Sequence, residues 1–230
     1  MDRHKKKKGG TGMTGGGRRP FLLKKRNSLL YYLLLWAPYI TVYQVTNRFH
    51  IIKPAFLSFS FIDRAIPFVP WLVPVYVSYL AYVFFFIYTC ENDHELSVIF
   101  LLSYFQLVVC SVFFLFLPVA FPVDLFYGQT GATGIFGKFW LWFDAPSNCF
   151  PSLHAANSLL AVYLGLKRRS KTVVWRSVMT VWGLLVVIST LFCKQHYAVD
   201  IAAGMAVFLL TVFAEPYAKR MTGAGQWPTR

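Results

Sequence analysis

The sequence predicts an all-α polytopic membrane protein with six transmembrane helices, and three observations predict it. Of its 230 residues, 57% are hydrophobic and only 14% charged, with a mean hydropathy of +0.50, too apolar for an ordinary soluble domain. The apolar residues form runs close to the 20 or so needed to span a bilayer as a helix, where open sheets and lipid-exposed loops would leave backbone groups without partners. The formal charge of +14 sits in short blocks, at 5–8, 18–26 and 167–171, separated by uncharged apolar stretches. That is how membrane proteins distribute charge.

Residues 1–20 are rich in Lys and Gly and nearly free of large apolar side chains, so they cannot bury enough surface to fold alone. A basic arm that binds nucleic acid is the rival reading; the block pattern argues against it, and no nucleic-acid partner is expected. The arrangement of a cleaved signal peptide is also missing. Six apolar segments follow, at 28–46, 71–90, 96–119, 152–166, 172–193 and 197–214. The fourth is short for a full span. The expected organisation is a disordered basic cytoplasmic tail over 1–27, a six-helix membrane catalytic domain over 28–216, and a short cytoplasmic tail over 217–230.

Orientation follows from the distribution of Lys and Arg. With the N-terminus cytoplasmic, the outer segments hold Arg48, Lys53, Arg64, Lys138 and Lys194, leaving 18 of the 23 basic residues inside. The positive-inside rule therefore predicts a multi-pass protein of the cell membrane with both termini cytoplasmic and its working face extracytoplasmic. The connection 91–95 carries no Lys or Arg and is neutral in this test. Polar and unusual residues collect on the outer side, including a Gly-rich piece over 128–137 and the aromatic run 139–143, which suits the headgroup layer.

Two constellations there carry chemistry. The first runs from Asp144 to Pro151-Ser152-Leu153-His154 at the start of the fourth apolar helix. Pro and Ser are helix-start residues, and backbone N–H groups at a helix N-terminus form an anion site, with Ser152 as donor and His154 in the first turn. The alternative is a capped helix with an interfacial histidine. The second comprises Ser189, Thr190, Lys194, His196, Tyr197 and Asp200. Four residues apart on a helix, Asp200 can receive the imidazole N–H of His196 and fix its tautomer; the alternative is a structural polar pair. One helix in and one helix out separate His154 from His196, so both reach the same face. Two histidines, one oriented by a carboxylate, suit a nucleophile and a general acid. The other histidines, His4, His50 and His94, have no assigned role. The four cysteines show no metal-ligand spacing, and a Cys149–Cys193 disulfide is left open.

These residues resemble the type 2 phosphatidic acid phosphatase superfamily of integral membrane lipid phosphatases and phosphotransferases. Its second motif, Pro-Ser-Gly-His, is similar to Pro151-Ser152-Leu153-His154, with Leu in place of Gly. Its third motif, Ser-Arg, five residues, His, three residues, Asp, is matched in spacing by Ser189-Thr190, His196 and Asp200, with Thr in place of Arg. The first motif, Lys, six residues, Arg-Pro, is absent in that form, and Asp63-Arg64-Ala65-Ile66-Pro67 matches it only in part. The departures look like the branch of inositol phosphorylceramide and sphingomyelin synthases, where Pro-Ser-Leu-His and His-Tyr-x-x-Asp recur.

The resemblance implies that His196 attacks phosphorus, Asp200 orients it, and His154 protonates the leaving oxygen. Water or an alcohol acceptor then releases the phosphohistidine, and no metal or other cofactor is needed. Ser152 and Ser189 are the expected substrate-binding hydroxyls. With Thr190 where the family has arginine, the phosphate clamp falls to Lys194, Lys138 or Arg64. The expected partner is a membrane lipid phosphate, and the rival class is a small-molecule transporter or a non-catalytic membrane scaffold. A transporter tends to show inverted repeats and helices broken at mid-bilayer, whereas here the polar residues sit at helix ends.

Overall fold

A computed structural model of the chain describes residues 21–127 and 146–223. Residues 1–20, 128–145 with Lys138 and Asp144, and the last seven residues lie outside the described residues.

The described chain is mostly helical. Its elements are α1 (Ser28–Arg48), β1 (Ala55–Phe56), α2 (Phe61–Ala65), α3 (Val73–Val77), α4 (Tyr79–Tyr88), α5 (Asp93–Phe116), β2 (Val119–Ala120), α6 (Asp124–Tyr127), α7 (Leu153–Lys167), α8 (Val173–Phe192) and α9 (Ala198–Thr222). The starts of the long helices are written in local chemistry. Asn92, Ser152 and Thr172 each accept a backbone N–H from three residues on, from Glu95, Ala155 and Trp175 respectively, which satisfies donors that no helical turn precedes. Gly223 closes α9 in the left-handed region at φ 65°, a conformation glycine adopts without penalty.

Four helical stretches are long and apolar enough to cross a membrane: Pro70–Tyr88, Asp93–Phe116, Val173–Phe192 and Ala198–Thr222. They correspond to four of the six expected segments. The other two are helices that fall short for different reasons. α1 has 21 residues but includes Tyr31, Tyr32, Tyr39, Tyr43, Gln44 and Asn47, which dilute its apolar character. α7 has 15 residues, about 22 Å at 1.5 Å per residue, against a hydrocarbon thickness of about 30 Å. It is largely enclosed by α4, α5, α8 and α9.

Both expected domain boundaries fall inside ordered structure. Residues 21–27 are tied to the bundle: the Phe21 N–H donates to the Met221 carbonyl, the Leu23 N–H donates to Ser97 Oγ at 2.7 Å, and Leu23 is buried. At the other end, α9 runs six residues past position 216, to Thr222. The polar composition of both pieces hides the few apolar contacts that order them.

Two cores stack along the bundle. The larger lies between the helices, with Tyr82, Phe86, Leu96, Leu102, Phe114, Leu160 and Leu164 among its members. The smaller caps the histidine end and joins Val73, Tyr76, Phe121, Val123, Tyr127, Cys193 and Tyr197. β1 and β2 pair in parallel across this cap, Ala55 with Val119 and Phe56 with Ala120. The far end of α7 is pinned differently. Arg168, wholly buried, makes an ion pair with buried Glu95, donates to Thr89 Oγ1 and the Phe86 carbonyl, and lies 4.1 Å from the centroid of the Phe86 ring. Such a pair is tolerable only because every strand of its charge has a partner.

α7 and α9 cross closely at Gly204. A Cβ there would stand 2.5 Å from the Ser152 carbonyl oxygen and 3.1 Å from Ala155 Cβ. Two outcomes follow from the packing. Glu95→Leu, which strands the Arg168 charge, should cost about 3–5 kcal/mol of stability, and the double change Glu95→Leu with Arg168→Met should recover most of it, read from thermal unfolding in detergent. Gly204→Ala should lower both the unfolding temperature and any turnover, because the start of α7 must move outward; a variant indistinguishable from the parent would refute the close crossing.

Candidate active site

The site is assembled from three chain segments that meet at one end of the bundle. A sharp turn ending in the cis Phe150–Pro151 peptide delivers Ser152 and the first turn of α7. The reversal between α8 and α9 delivers His196, with Lys194 in the left-handed region at φ 52° so that the chain can turn back within a few residues. The third segment, 57–68, packs over both. The Ser152 N–H donates to the Asp200 carbonyl at 3.0 Å, so the starts of α7 and α9 are joined through backbone.

His196 is buried and has partners on both ring nitrogens. Nδ1 lies 3.3 Å from Asp200 Oδ2 and 3.0 Å from the Cys149 carbonyl oxygen. Both partners only accept when Asp200 is ionised, so Nδ1 carries the proton and is shared between them. Nε2 is then the lone-pair nitrogen, and it accepts from the Ser152 hydroxyl at 3.3 Å. Asp200 also accepts the Tyr197 N–H on Oδ2 at 2.8 Å, while its Oδ1, fully buried, has no hydrogen-bond partner among the described residues. The expected His196–Asp200 pairing at i, i+4 is present as a contact.

His154, in the first turn of α7, faces the same space. Its ring centroid is 5.9 Å from that of His196. Tyr76 and Tyr79 pack against it, at 4.9 and 4.6 Å between centroids. The fold therefore gathers His154, His196, Asp200 and Ser152. Ser189 and Thr190 are buried on α8, but their hydroxyls donate to the carbonyls of Val186 and Val187 on their own helix.

Of the cations, Lys194 is only 5% exposed. Its ammonium donates to the carbonyls of Asp63 at 2.8 Å and Ile66 at 2.6 Å. It thereby straps the segment 63–66 to the α8–α9 turn. Burial lowers the Lys194 pKa against the opposing pull of Asp63. Arg64 is exposed and, with Phe59, Phe68, Phe126 and Lys194, lines a cavity of about 340 Å³ beside the turn. Lys138 lies outside the described residues.

Asp63 is the residue that sequence reasoning passed over. Its Oδ1 accepts the Ala198 N–H at 2.7 Å, at the first residue of α9, and its Oδ2 accepts the N–H and hydroxyl of Ser60. Burial pushes its carboxyl up, but the donors from Ser60 and Ala198 outweigh burial and hold it below the usual carboxylate range. The Ser60-x-x-Asp63 spacing is a capping box and was the available signal, though it announces a helix start and not a contact with α9.

Cys149 and Cys193 are both buried and are not joined by a disulfide. Burial pushes Cys193 up to about 12. The sequence shows no metal-ligand spacing, yet the fold brings Cys149, His196 and Asp200 together, with ligand atoms within 4.8 Å of one another. A tetrahedral zinc site has ligand–ligand edges of roughly 3.3–3.7 Å, and here Nδ1 of His196 is already engaged with oxygen acceptors.

No curated protein and no solved structure matches the chain. The description of the PAP2 superfamily matches residues 41–214, from the second half of α1 through most of α9, and so spans both histidine segments and the aspartate. With that match covering well over half its length, the chain belongs to the PAP2 superfamily, whose members are phosphatases or phosphotransferases.

Proposed function

We propose that the protein is an integral membrane enzyme that cleaves or transfers a lipid phosphate ester through a phosphohistidine, with six spans and its site on the extracytoplasmic face. The observation that carries this reading is the pair of histidines 5.9 Å apart, one of them tethered through Nδ1 to a buried aspartate. That separation puts both imidazoles within reach of one bound phosphate ester.

In this scheme the Nε2 lone pair of His196 attacks phosphorus and forms the N–P bond. Asp200 and the Cys149 carbonyl hold the Nδ1 proton and so keep Nε2 aimed, and Asp200 stabilises the imidazolium character that develops. The P–O bond to the lipid breaks as His154 gives its proton to the leaving oxygen. Water or an alcohol then attacks the phosphohistidine, passing a proton back to His154. The Ser152 hydroxyl, next to Nε2, and the backbone N–H groups at the start of α7 offset charge on the phosphoryl oxygens. Arg64 is the better placed clamp of the two described cations, since the Lys194 ammonium already serves two carbonyls; Lys138 remains the third.

The lipid character of the substrate is supported by an open apolar groove of about 600 Å³ between α3 and α8, lined by Pro74, Val75, Val178, Val181, Trp182 and Leu185. Leu185 lies seven residues short of the end of α8, about 10 Å below the α8–α9 turn at 1.5 Å per residue, so the groove sits at acyl-chain depth beneath the histidines. α1 and α7 complete the six spans, α7 as an interior helix. The variants at Leu153 and Thr190 favour transfer to an alcohol over hydrolysis.

Two experiments test these assignments. His196→Ala should abolish turnover of a labelled lipid phosphate and His154→Ala should reduce it by about 10²–10⁴-fold, and an acid-labile label should be trapped on the parent protein but not on His196→Ala. Undiminished turnover in His196→Ala would favour a scaffold or transporter; release of inorganic phosphate alone, with alcohols supplied, would mark a hydrolase. Val178→Trp with Val181→Trp, filling the groove, should lower kcat/KM at least tenfold, about 1.4 kcal/mol, for a long-chain lipid phosphate while sparing a short-chain soluble one.

A further inference from the structure

The two histidines are held in contrasting ways. His196 has hydrogen-bond partners on both ring nitrogens. His154 has none among the described residues, and its ring is held by aromatic neighbours. Tyr76 packs on it at 4.9 Å with the planes tilted by 45°, and Tyr79 at 4.6 Å with the planes at 64°. Both tyrosines are buried.

Tyr79 is fixed in its turn. Its hydroxyl accepts from Asn157 Nδ2 at 3.0 Å, and the same amide lies 3.4 Å from the hydroxyl of Tyr39, which donates to the Ser103 carbonyl. Asn157 is three residues along α7 from His154 and shares its face. An amide and two phenols buried at this depth are costly unless their hydrogen bonds are made. Here they are made, and they set the position and angle of one ring. Trp36 packs edge-on with Tyr79, 6.0 Å between ring centroids.

We propose that Tyr76 and Tyr79 are positioning residues for His154, forming an aromatic seat, locked by Asn157, that holds its imidazole in place and favours its protonated form. This rests on the reading of His154 as the proton donor to the leaving oxygen. Burial of an imidazole disfavours its charge. Among the described residues, the groups facing His154 supply no ionised carboxylate to compensate: they are Tyr76 on α3, Tyr79 on α4, and His196 before α9, behind which Asp200 is turned to Nδ1 of His196. The π systems of the two tyrosine rings beside it are what remains to attract a positive imidazole.

The test uses the full-length protein in detergent with two probes, phosphatidic acid, whose leaving alkoxide needs a proton, and p-nitrophenyl phosphate, whose leaving phenolate does not. Tyr79→Leu should lower kcat on phosphatidic acid by about tenfold or more with KM little changed, and lower it far less on p-nitrophenyl phosphate. The alkaline limb of the pH–rate profile should move to lower pH by about 0.5–1 unit. Tyr79→Phe, which keeps the ring, should restore that limb. Equal losses on both probes with an unmoved limb, or failure of Tyr79→Phe to restore it, would overturn the proposal. If Tyr79→Leu does not elute as a folded species in gel filtration, Tyr76→Leu is read by the same measures with the same outcomes. His154→Ala run in parallel separates the two claims: full phosphatidic acid turnover in that variant defeats the proton-donor reading, whereas a dead His154→Ala beside a parent-like Tyr79→Leu defeats the seat alone.

Discussion

The geometry of the site depends on one backbone hydrogen bond between two helix starts, the Ser152 N–H donating to the Asp200 carbonyl at 3.0 Å. It places the first turns of α7 and α9 side by side, and Gly204 lets the helices close on each other at that level. His154 and Ser152 belong to one of these turns, His196 and Asp200 to the other. A hydrogen bond of this kind contributes only about 1 kcal/mol net, so its strength is not the point. Ser152 and Asp200 have no exposed surface, so breaking it would leave a buried donor and acceptor unpaired, and the register between the two helices is fixed with it.

The rest of the bundle keeps that crossing in place from two sides. At the far end of α7, the buried Arg168–Glu95 pair ties α7 to α5 and, through Thr89 and Phe86, to α4. At the near end, Asp63 accepts the first N–H of α9 and Lys194 holds the backbone of 63–66 from the turn above. The long-range electrostatics is therefore structural at both ends.

Much of this was legible in the sequence. Periodicity and composition suffice for helices, because a helix start and an apolar run are local properties. Ser152 as a cap and His196 with Asp200 at i, i+4 are visible for the same reason. What escaped is what distant segments do to one another. Nothing local in Asp63 says that it reaches 135 residues ahead to Ala198, nor that Lys194, placed nearest the pair in sequence, spends its ammonium on carbonyls. Tyr76 and Tyr79 read as two more apolar residues of a span, and only the fold sets them against His154. Residues 21–27, basic after their first three positions, are ordered because Leu23 is buried and Phe21, Leu23, Lys24 and Lys25 hydrogen-bond to Met221, Ser97, Asp93 and Glu91. The fourth apolar segment is short in the sequence and forms a 15-residue helix in the fold, and its enclosure explains how such a helix can persist inside a membrane-type bundle.

The cover over the site has a chemical consequence. A second small core caps the histidine end of the bundle and His196 is only 5% exposed, so its imidazole lies in a recess and not on the surface. On the proposed mechanism, a phosphohistidine formed there meets water only at the activity that the recess permits. The partition between hydrolysis and transfer is then governed by hydration of the recess and by how well an alcohol competes for the same space, while the residues that form the intermediate stay the same. Two proteins with identical histidines and aspartate can differ in product for no reason other than how wet that recess is.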